Sequence, residues 1–369
     1  MKICTITCHD VYNYGASLQA YALQEYCRSL GHDYCIIDYK PPYLSNHYNL
    51  WSICNPIFDK PVVRELYRMA KLPGRLRQLK RKRLFDDFTK KYLSLTKKRY
   101  DSSEDIAEDC PSADLYIAGS DQIWNTLFPN GADAAFYLDF VKNGARKISY
   151  AASFATEKIH NGLDSFVKEK LKNFDAISVR ESSALQILQK LDFCDATLLA
   201  DPVFLLAREQ WAKLIEKPIS GNDEYIFVYD CEKSHKLRAI AEELRRKTGL
   251  KICSVSAIYG RYADKNYELS GPKEFLSLLA NARYVLANSF HALAFSLIFQ
   301  KDFYIVNRNE GINKRMSDLL CSINLSNRLV DKPIDIDLEA IQYQSVEAEI
   351  NSLIDTSCHY LNQQIDLCQ

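Results

Sequence analysis

The stretch Tyr284–Val306, YVLANSFHALAFSLIFQKDFYIV, leaves the chain few folds to adopt. Two short apolar runs, Tyr284–Ala287 and Phe303–Val306, flank an apolar helical segment, Ala292–Phe299. Parallel strands need such a crossover, and strands apolar at nearly every position are buried on both faces. Between the first run and the helix stand Asn288, Ser289, Phe290 and His291. Ser289 is a favoured N-cap residue, which puts His291 in the first helical turn. That turn offers unpaired N–H groups and the positive end of the helix dipole, a seat for an anion. A histidine there can move a proton beside a phosphate or carboxylate. An ordinary core or capping histidine fits the same position.

The same alternation runs through most of the chain. Lys2–Thr7 reads as a strand, Cys8–Gly15 as a loop, Ala16–Leu30 as a helix stopped by Gly31, and Tyr34–Asp38 as a second strand, a βαβ crossover. Strands are expected again at Asp114–Ala118, Lys147–Ala151, Ala176–Val179 and Thr197–Ala200, with helices at Leu163–Asn173 and through Leu191. The pattern restarts with strand Tyr225–Tyr229, helix His235–Lys247, strand Lys251–Val255 and helix Pro272–Asn281. Helices are expected at Lys314–Ser322 and Ile334–Asn351. A chain of 369 residues exceeds one ordinary core. The expected division is an N-terminal α/β domain over 1–206 and a C-terminal one over 207–369 that ends in a helical segment. Ligands then belong outside the carboxyl ends of the strands, in the cleft between the two.

Residues 43–100 interrupt this order as an insertion. Asn46–Asp59 is aromatic and irregular, and Val62–Lys71 and Arg75–Tyr92 read as two helices broken by Pro73-Gly74. Between Arg64 and Arg99, fourteen basic residues stand against Glu65, Asp86 and Asp87, a local charge of about +11. Leu76, Leu79, Leu84, Phe85 and Phe88 supply an apolar face. A solvated helical hairpin packed on its domain fits this pattern. So does a surface over 64–99 for an anionic membrane or a phosphorylated, lipid-linked acceptor.

Composition excludes more than it assigns. The formal net charge is zero, so nothing points to a nucleic-acid partner. Met1-Lys2 leads straight into Ile3–Thr7 with no signal peptide apparent, and no apolar stretch approaches the ~20 residues of a membrane span. Twelve cysteines are scattered, none spaced as CxxC, so neither a zinc site nor a disulfide framework is expected. These features predict a cytoplasmic protein, with the inner face of the membrane as the alternative seat, and no metal. GxGxxG, the P-loop and the GxSxG elbow around Ser153 are all missing.

Three further constellations fall at strand ends. Asn13-Tyr14-Gly15 opens the first helix, where glycine permits close backbone approach. Gly119–Asn125, GSDQIWN, places Ser120 and Asp121 to bond ligand hydroxyls or a catalytic partner; a capped helix start with Trp124 in the core is the alternative. Arg180 can grip a carboxylate or phosphate through two parallel hydrogen bonds, or instead pair with Glu181 or Asp201. His9, in the first such loop, is the second candidate histidine.

Taken in order, Asn13–Leu23 (NYGASLQAYAL), GSDQIWN, Ala151–Phe154 (AASF), Val179-Arg180-Glu181, Asp201-Pro202 and Ser289-Phe290-His291 resemble the polysaccharide pyruvyl transferase family. The similarity spans roughly residues 3–310. Ala292 departs from it, since members often carry glycine there. The resemblance implies two Rossmann-like domains facing a central cleft, similar to the GT-B glycosyltransferase fold. It also implies transfer of pyruvate from phosphoenolpyruvate to two hydroxyls of a sugar, giving a cyclic ketal and phosphate, with no cofactor beyond the phosphoenolpyruvate co-substrate. The acceptor would be a glycan or its lipid-linked precursor. Carried over residue by residue, His291 and Asp121 become catalytic candidates, Arg180, Ser289 and Ser120 donor-binding candidates, and Asn13, Tyr14 and Gly15 a donor or acceptor loop.

That chemistry suits the residues. Protonating the methylene carbon of an enol phosphate creates an oxocarbenium-like centre, and His291 stands where a proton donor is needed. Arg180 and the helix starts at Ser289 and Gly15 would face the donor's negative charge. Two rival expectations stand beside it: a nucleotide-sugar glycosyltransferase of the same fold, and a non-enzymatic assembly protein acting on membranes through 64–99.

Overall fold

The structure, a computed structural model, describes residues 1–44, 61–142, 144–215, 224–256, 262–308 and 313–368. Two five-stranded sheets carry the fold, and every strand pairing in them is parallel. The first contains β1 (Lys2–Ile6), β2 (Asp33–Tyr39), β3 (Leu95–Tyr100), β4 (Leu115–Ala118) and β5 (Arg146–Ser149), in the order β3-β2-β1-β4-β5. A short pair, β6 (Ser178–Val179) and β7 (Thr197–Leu198), continues it through bridges Ile148–Ala176 and Ala152–Val179. The second contains β8 (Tyr225–Tyr229), β9 (Lys251–Ser254), β10 (Lys265–Asn266), β11 (Tyr284–Ala287) and β12 (Asp302–Ile305), in the order β10-β9-β8-β11-β12. Both sheets therefore reverse direction at the same place, between their first and fourth strands. Adjacent loops diverge at such a switch point and open a crevice.

The helices are α1 (Tyr14–Ser29), α2 (Pro61–Tyr92), α3 (Ser103–Glu108), α4 (Asp164–Leu171), α5 (Ser182–Lys190), α6 (Arg208–Ala212), α7 (His235–Thr248), α8 (Pro272–Ala280), α9 (Phe290–Ile298), α10 (Lys314–Ser322) and α11 (Glu347–Asp366). One apolar cluster joins the inward sides of both sheets and holds Leu18, Trp211, Phe275, Leu293 and Phe295. Separate clusters lie around Trp124 on the first sheet and around Ile240 on the second. Phe290 to Leu297 of α9 are all buried, so this helix is apolar all round because it is enclosed all round. Burying each of its large side chains contributes about 1.5–3 kcal/mol, which holds the His291 turn rigidly at the centre.

The chain end returns to the first sheet. On α11, Ser357 accepts a hydrogen bond from Ala200 N at 2.8 Å, Tyr360 donates to the Ser149 carbonyl at 3.2 Å, and Gln364 accepts from Arg146 at 2.6 Å.

Three expectations change. The break at Pro73-Gly74 is absent, and α2 is one 32-residue helix with Pro73 inside it, not a hairpin. Met69 to Lys71 and Pro73-Gly74 are exposed, so the carbonyl that loses its proline partner can turn to water. Leu95–Tyr100, read within the insertion, is edge strand β3, whose Lys97, Lys98 and Arg99 hide its strand character while guarding the edge. The helix expected over Ile334–Asn351 is present only from Glu347, where α11 begins; before it stand short turns at Pro333–Asp335 and Tyr343–Ser345. Backbone groups in that earlier part bond elsewhere, Ile341 N to Asp302 at 2.8 Å and the Glu339 carbonyl to Arg328 at 2.6 Å. The expected irregular stretch Asn46–Asp59 lies outside the described residues.

Candidate functional site

Four loops meet at the paired switch points: those after β1, β4, β8 and β11. Asn13, Asp121 with Gln122, Cys231, and Asn288 with Ser289 come from them in turn and line one polar cavity. His291 from the first turn of α9 and Arg308 and Arg315 complete it. Sheet topology alone thus gathers residues spread over three hundred positions.

His291 is buried, and Gly15 lies directly against its ring. Its Nε2 stands 3.5 Å from the Asp201 carboxylate, an ion-pair distance without hydrogen-bond geometry. Asp201 is the hub beneath the cavity. It pairs with Arg180, accepts from Val203 N at 3.1 Å, and lies 3.2 Å from the Ser120 hydroxyl. Burial alone would raise this carboxyl, but the His291 imidazole and the Arg180 guanidinium beside it hold it well below the usual carboxylate range. Asp201 is therefore a fixed negative charge on which His291 and Arg180 are oriented.

Arg180 has its charge committed, to Asp201 and to Asp121 at 3.3 Å, and its guanidinium lies 4.6 Å from the Phe290 ring centre. The pairing left open in the sequence is thus with Asp201. Asp121 sits in the cavity wall with φ of 71°, a left-handed conformation that a non-glycine residue holds at a cost of about 1–3 kcal/mol and that clusters at functional sites. Ser289 occupies the N-cap position of α9, but its side chain makes no capping bond and lines the cavity instead. Asn13 caps α1 through Gly15 N at 2.9 Å and faces the same space.

Other candidates lie elsewhere. Ser120 is fully buried, 2.9 Å from the Ala151 carbonyl, and touches Asp201 rather than lining the cavity. Tyr14 is a core residue that joins the two sheets. Its ring stacks on Phe275 at 4.5 Å, and its hydroxyl lies 3.1 Å from Ser270 and accepts from Arg81 at 2.6 Å. His9 is buried between the Thr7 carbonyl and Asp38, away from the cavity. Trp124 lies in the core, stacked on Tyr137.

Arg315 escaped sequence reasoning. It is buried, 4.0 Å from Asp121 and 5.6 Å from the Phe290 ring centre, and its Nε makes no hydrogen bond among the described residues. Burial, with Arg180 nearby, lowers its pKa to about 10 against the opposing pull of Glu181, Asp121 and Asp201, so it stays protonated at neutral pH. One signal was legible: Lys314 and Arg315 open α10, where the helix dipole disfavours cations, and such broken rules mark functional positions. With the α9 N–H groups and Arg308, Arg315 makes the cavity a receptor for an anion beside a histidine. Among the described residues no group of three His, Cys, Asp or Glu side chains is placed to hold a metal ion.

Solved structures share this architecture. A Listeria monocytogenes protein assigned as a UDP-N-acetylglucosamine 2-epimerase superposes with a TM-score of 0.51 at 9% identity, over 99% of this chain and 95% of its own. The UDP-GlcNAc 2-epimerase from Neisseria meningitidis bound to UDP-GlcNAc gives 0.49 at 10% identity, over 99% of each chain. An alpha-glucosyltransferase in complex with UDP-glucose and DNA gives 0.47 at 10%, over 100% of this chain and 99% of its own. The fold is that of GT-B-like enzymes, two Rossmann-like sheets facing a cleft. No curated relative matches. The family model described as "Polysaccharide pyruvyl transferase" matches residues 13–310, from the Asn13 loop through His291 and Arg308, and the chain belongs to that family.

Proposed function

We propose that the chain moves pyruvate from phosphoenolpyruvate onto two hydroxyls of a sugar, in a polysaccharide or its lipid-linked precursor, on the cytoplasmic side of the membrane. The observation that carries this reading is His291, held between Gly15 and Asp201 at the anion-binding start of α9 with Arg315 beside it. Arg315, Arg308 and the α9 N–H groups take the donor's phosphate and carboxylate. A proton from His291 goes to the methylene carbon, and a sugar hydroxyl adds to the resulting cation and loses its proton. Phosphate then leaves as the second hydroxyl closes the ketal, and takes that hydroxyl's proton with it as hydrogen phosphate. The products are one cyclic ketal and one phosphate per donor, and the reading calls on no cofactor besides phosphoenolpyruvate. Asp121, on the cavity wall, is the acceptor of a hydroxyl proton.

Incubating the protein with phosphoenolpyruvate and a panel of glycan acceptors tests this. Acceptor-dependent phosphate release, with the mass gain of one pyruvyl ketal, is expected. Consumption of a UDP-sugar without phosphate release from phosphoenolpyruvate would overturn it in favour of a glycosyltransferase.

A further inference from the structure

Helix α2 has two sides with different fates. In its second half Arg81, Phe85 and Phe88 are buried, and Arg81 donates to the carbonyls of Tyr12 at 3.1 Å and Glu268 at 3.2 Å. This side clamps the helix to both sheets. The other side runs through Leu66, Met69, Pro73, Leu76, Lys80 and Arg83, spaced alternately three and four residues apart and so aligned on one face. Leu66 is 62% exposed, Met69 69% and Leu76 50%, while Lys80 and Arg83 are also exposed. The face is thus apolar over its first half and basic over its second, on a helix about 48 Å long.

We propose that this face of α2 lies on an anionic lipid bilayer, with Leu66, Met69 and Leu76 in the acyl boundary and Lys80 and Arg83 on the headgroups. Charge complementarity selects the occupant. A second copy laid parallel would set Lys80 against Lys80 and Arg83 against Arg83. Laid antiparallel, it would press those cations onto Leu66 and Met69. A polyanion without an apolar phase leaves three large exposed side chains unexplained. A bilayer satisfies both halves at once. No helix among the described residues is long and apolar enough to cross a membrane, so the contact is peripheral. None of these residues lines the His291 cavity, and the inference does not depend on what that cavity transfers.

Co-sedimentation of the full chain with vesicles tests it, using phosphatidylcholine alone and phosphatidylcholine with one-third phosphatidylglycerol. The protein is expected to pellet with the anionic vesicles at low salt and to be released by high salt. Leu66→Gln/Met69→Gln and Lys80→Gln/Arg83→Gln should each weaken binding roughly tenfold or more, with thermal midpoints unchanged. Failure to pellet with anionic vesicles, or pelleting of either double variant as complete as that of wild type, would overturn the proposal. So would a wild-type dimer that Leu66→Gln/Met69→Gln dissociates without any vesicle binding, since the occupant would then be a second copy.

Discussion

A Cβ built on Gly15 would stand 1.9 Å from Nδ1 of His291. The two residues come from the first turns of α1 and α9, one behind each sheet, so the helix starts meet across the cleft. Glycine is required at position 15 by this contact and not by its backbone, which needs no left-handed conformation. Gly15→Ala should therefore push the imidazole off its position and lower turnover by about 10²-fold or more, because displacement near 1 Å is enough for that. Steady-state phosphate release, read beside a thermal melt, checks whether the loss exceeds any unfolding.

His291→Gln keeps the size and a hydrogen-bonding end but cannot donate a proton as imidazolium does. Phosphate release should fall about 10²–10⁴-fold with the fold intact. Near-normal turnover would remove His291 from the reaction.

Arg180 and Arg315 are both buried arginines, yet their removal should differ in kind. Arg180→Ala leaves Asp201 and Asp121 without their main partner and should destabilise by about 3–5 kcal/mol. Arg315→Ala withdraws a cation from Glu181, Asp121 and Asp201 but leaves the Arg180 ion pairs in place, so it should destabilise less than Arg180→Ala while KM for phosphoenolpyruvate increases. Denaturant midpoints and donor saturation curves separate the two.

Asp201→Asn should destabilise by a similar ~3–5 kcal/mol at neutral pH. Because the folded carboxyl titrates well below its usual value, the charged Asp201 stabilises fully above its unfolded pKa of about 3.9. That contribution is lost as pH falls toward the folded pKa. The stability gap between wild type and variant should thus stay constant from pH 7 to 5 and narrow by pH 3.5. Urea melts across that range measure it; a gap that widened on acidification would contradict the role given to Asp201.

Much of this molecule is legible in its sequence because its strands are short, apolar and buried on both faces. Tyr225–Tyr229 and Tyr284–Ala287 begin and end where their apolar runs do, and Ser289 marks the start of α9. The elements that escaped depend on distant partners. Edge strand β3 is charged, α2 crosses its own proline on the solvent side, and residues 334–346 are held by Asp302 and Arg328.

The site divides along the same line. Local pattern determined that His291 would open a helix at a strand's carboxyl end, and that Asn13, Gly15, Asp121 and Arg180 would stand at the ends of other strands or at neighbouring helix starts. Short-range periodicity and capping are properties of neighbouring residues, so they survive reading one stretch at a time. Tertiary structure alone decided which of these residues share a cavity. It tied Arg180 to Asp201, withdrew Tyr14 and Ser120 into the interior, set Gly15 against His291, and brought Arg315 to the anion seat. Sheet order and the crossing of buried helices set those distances, and neither is written in any single stretch of the chain.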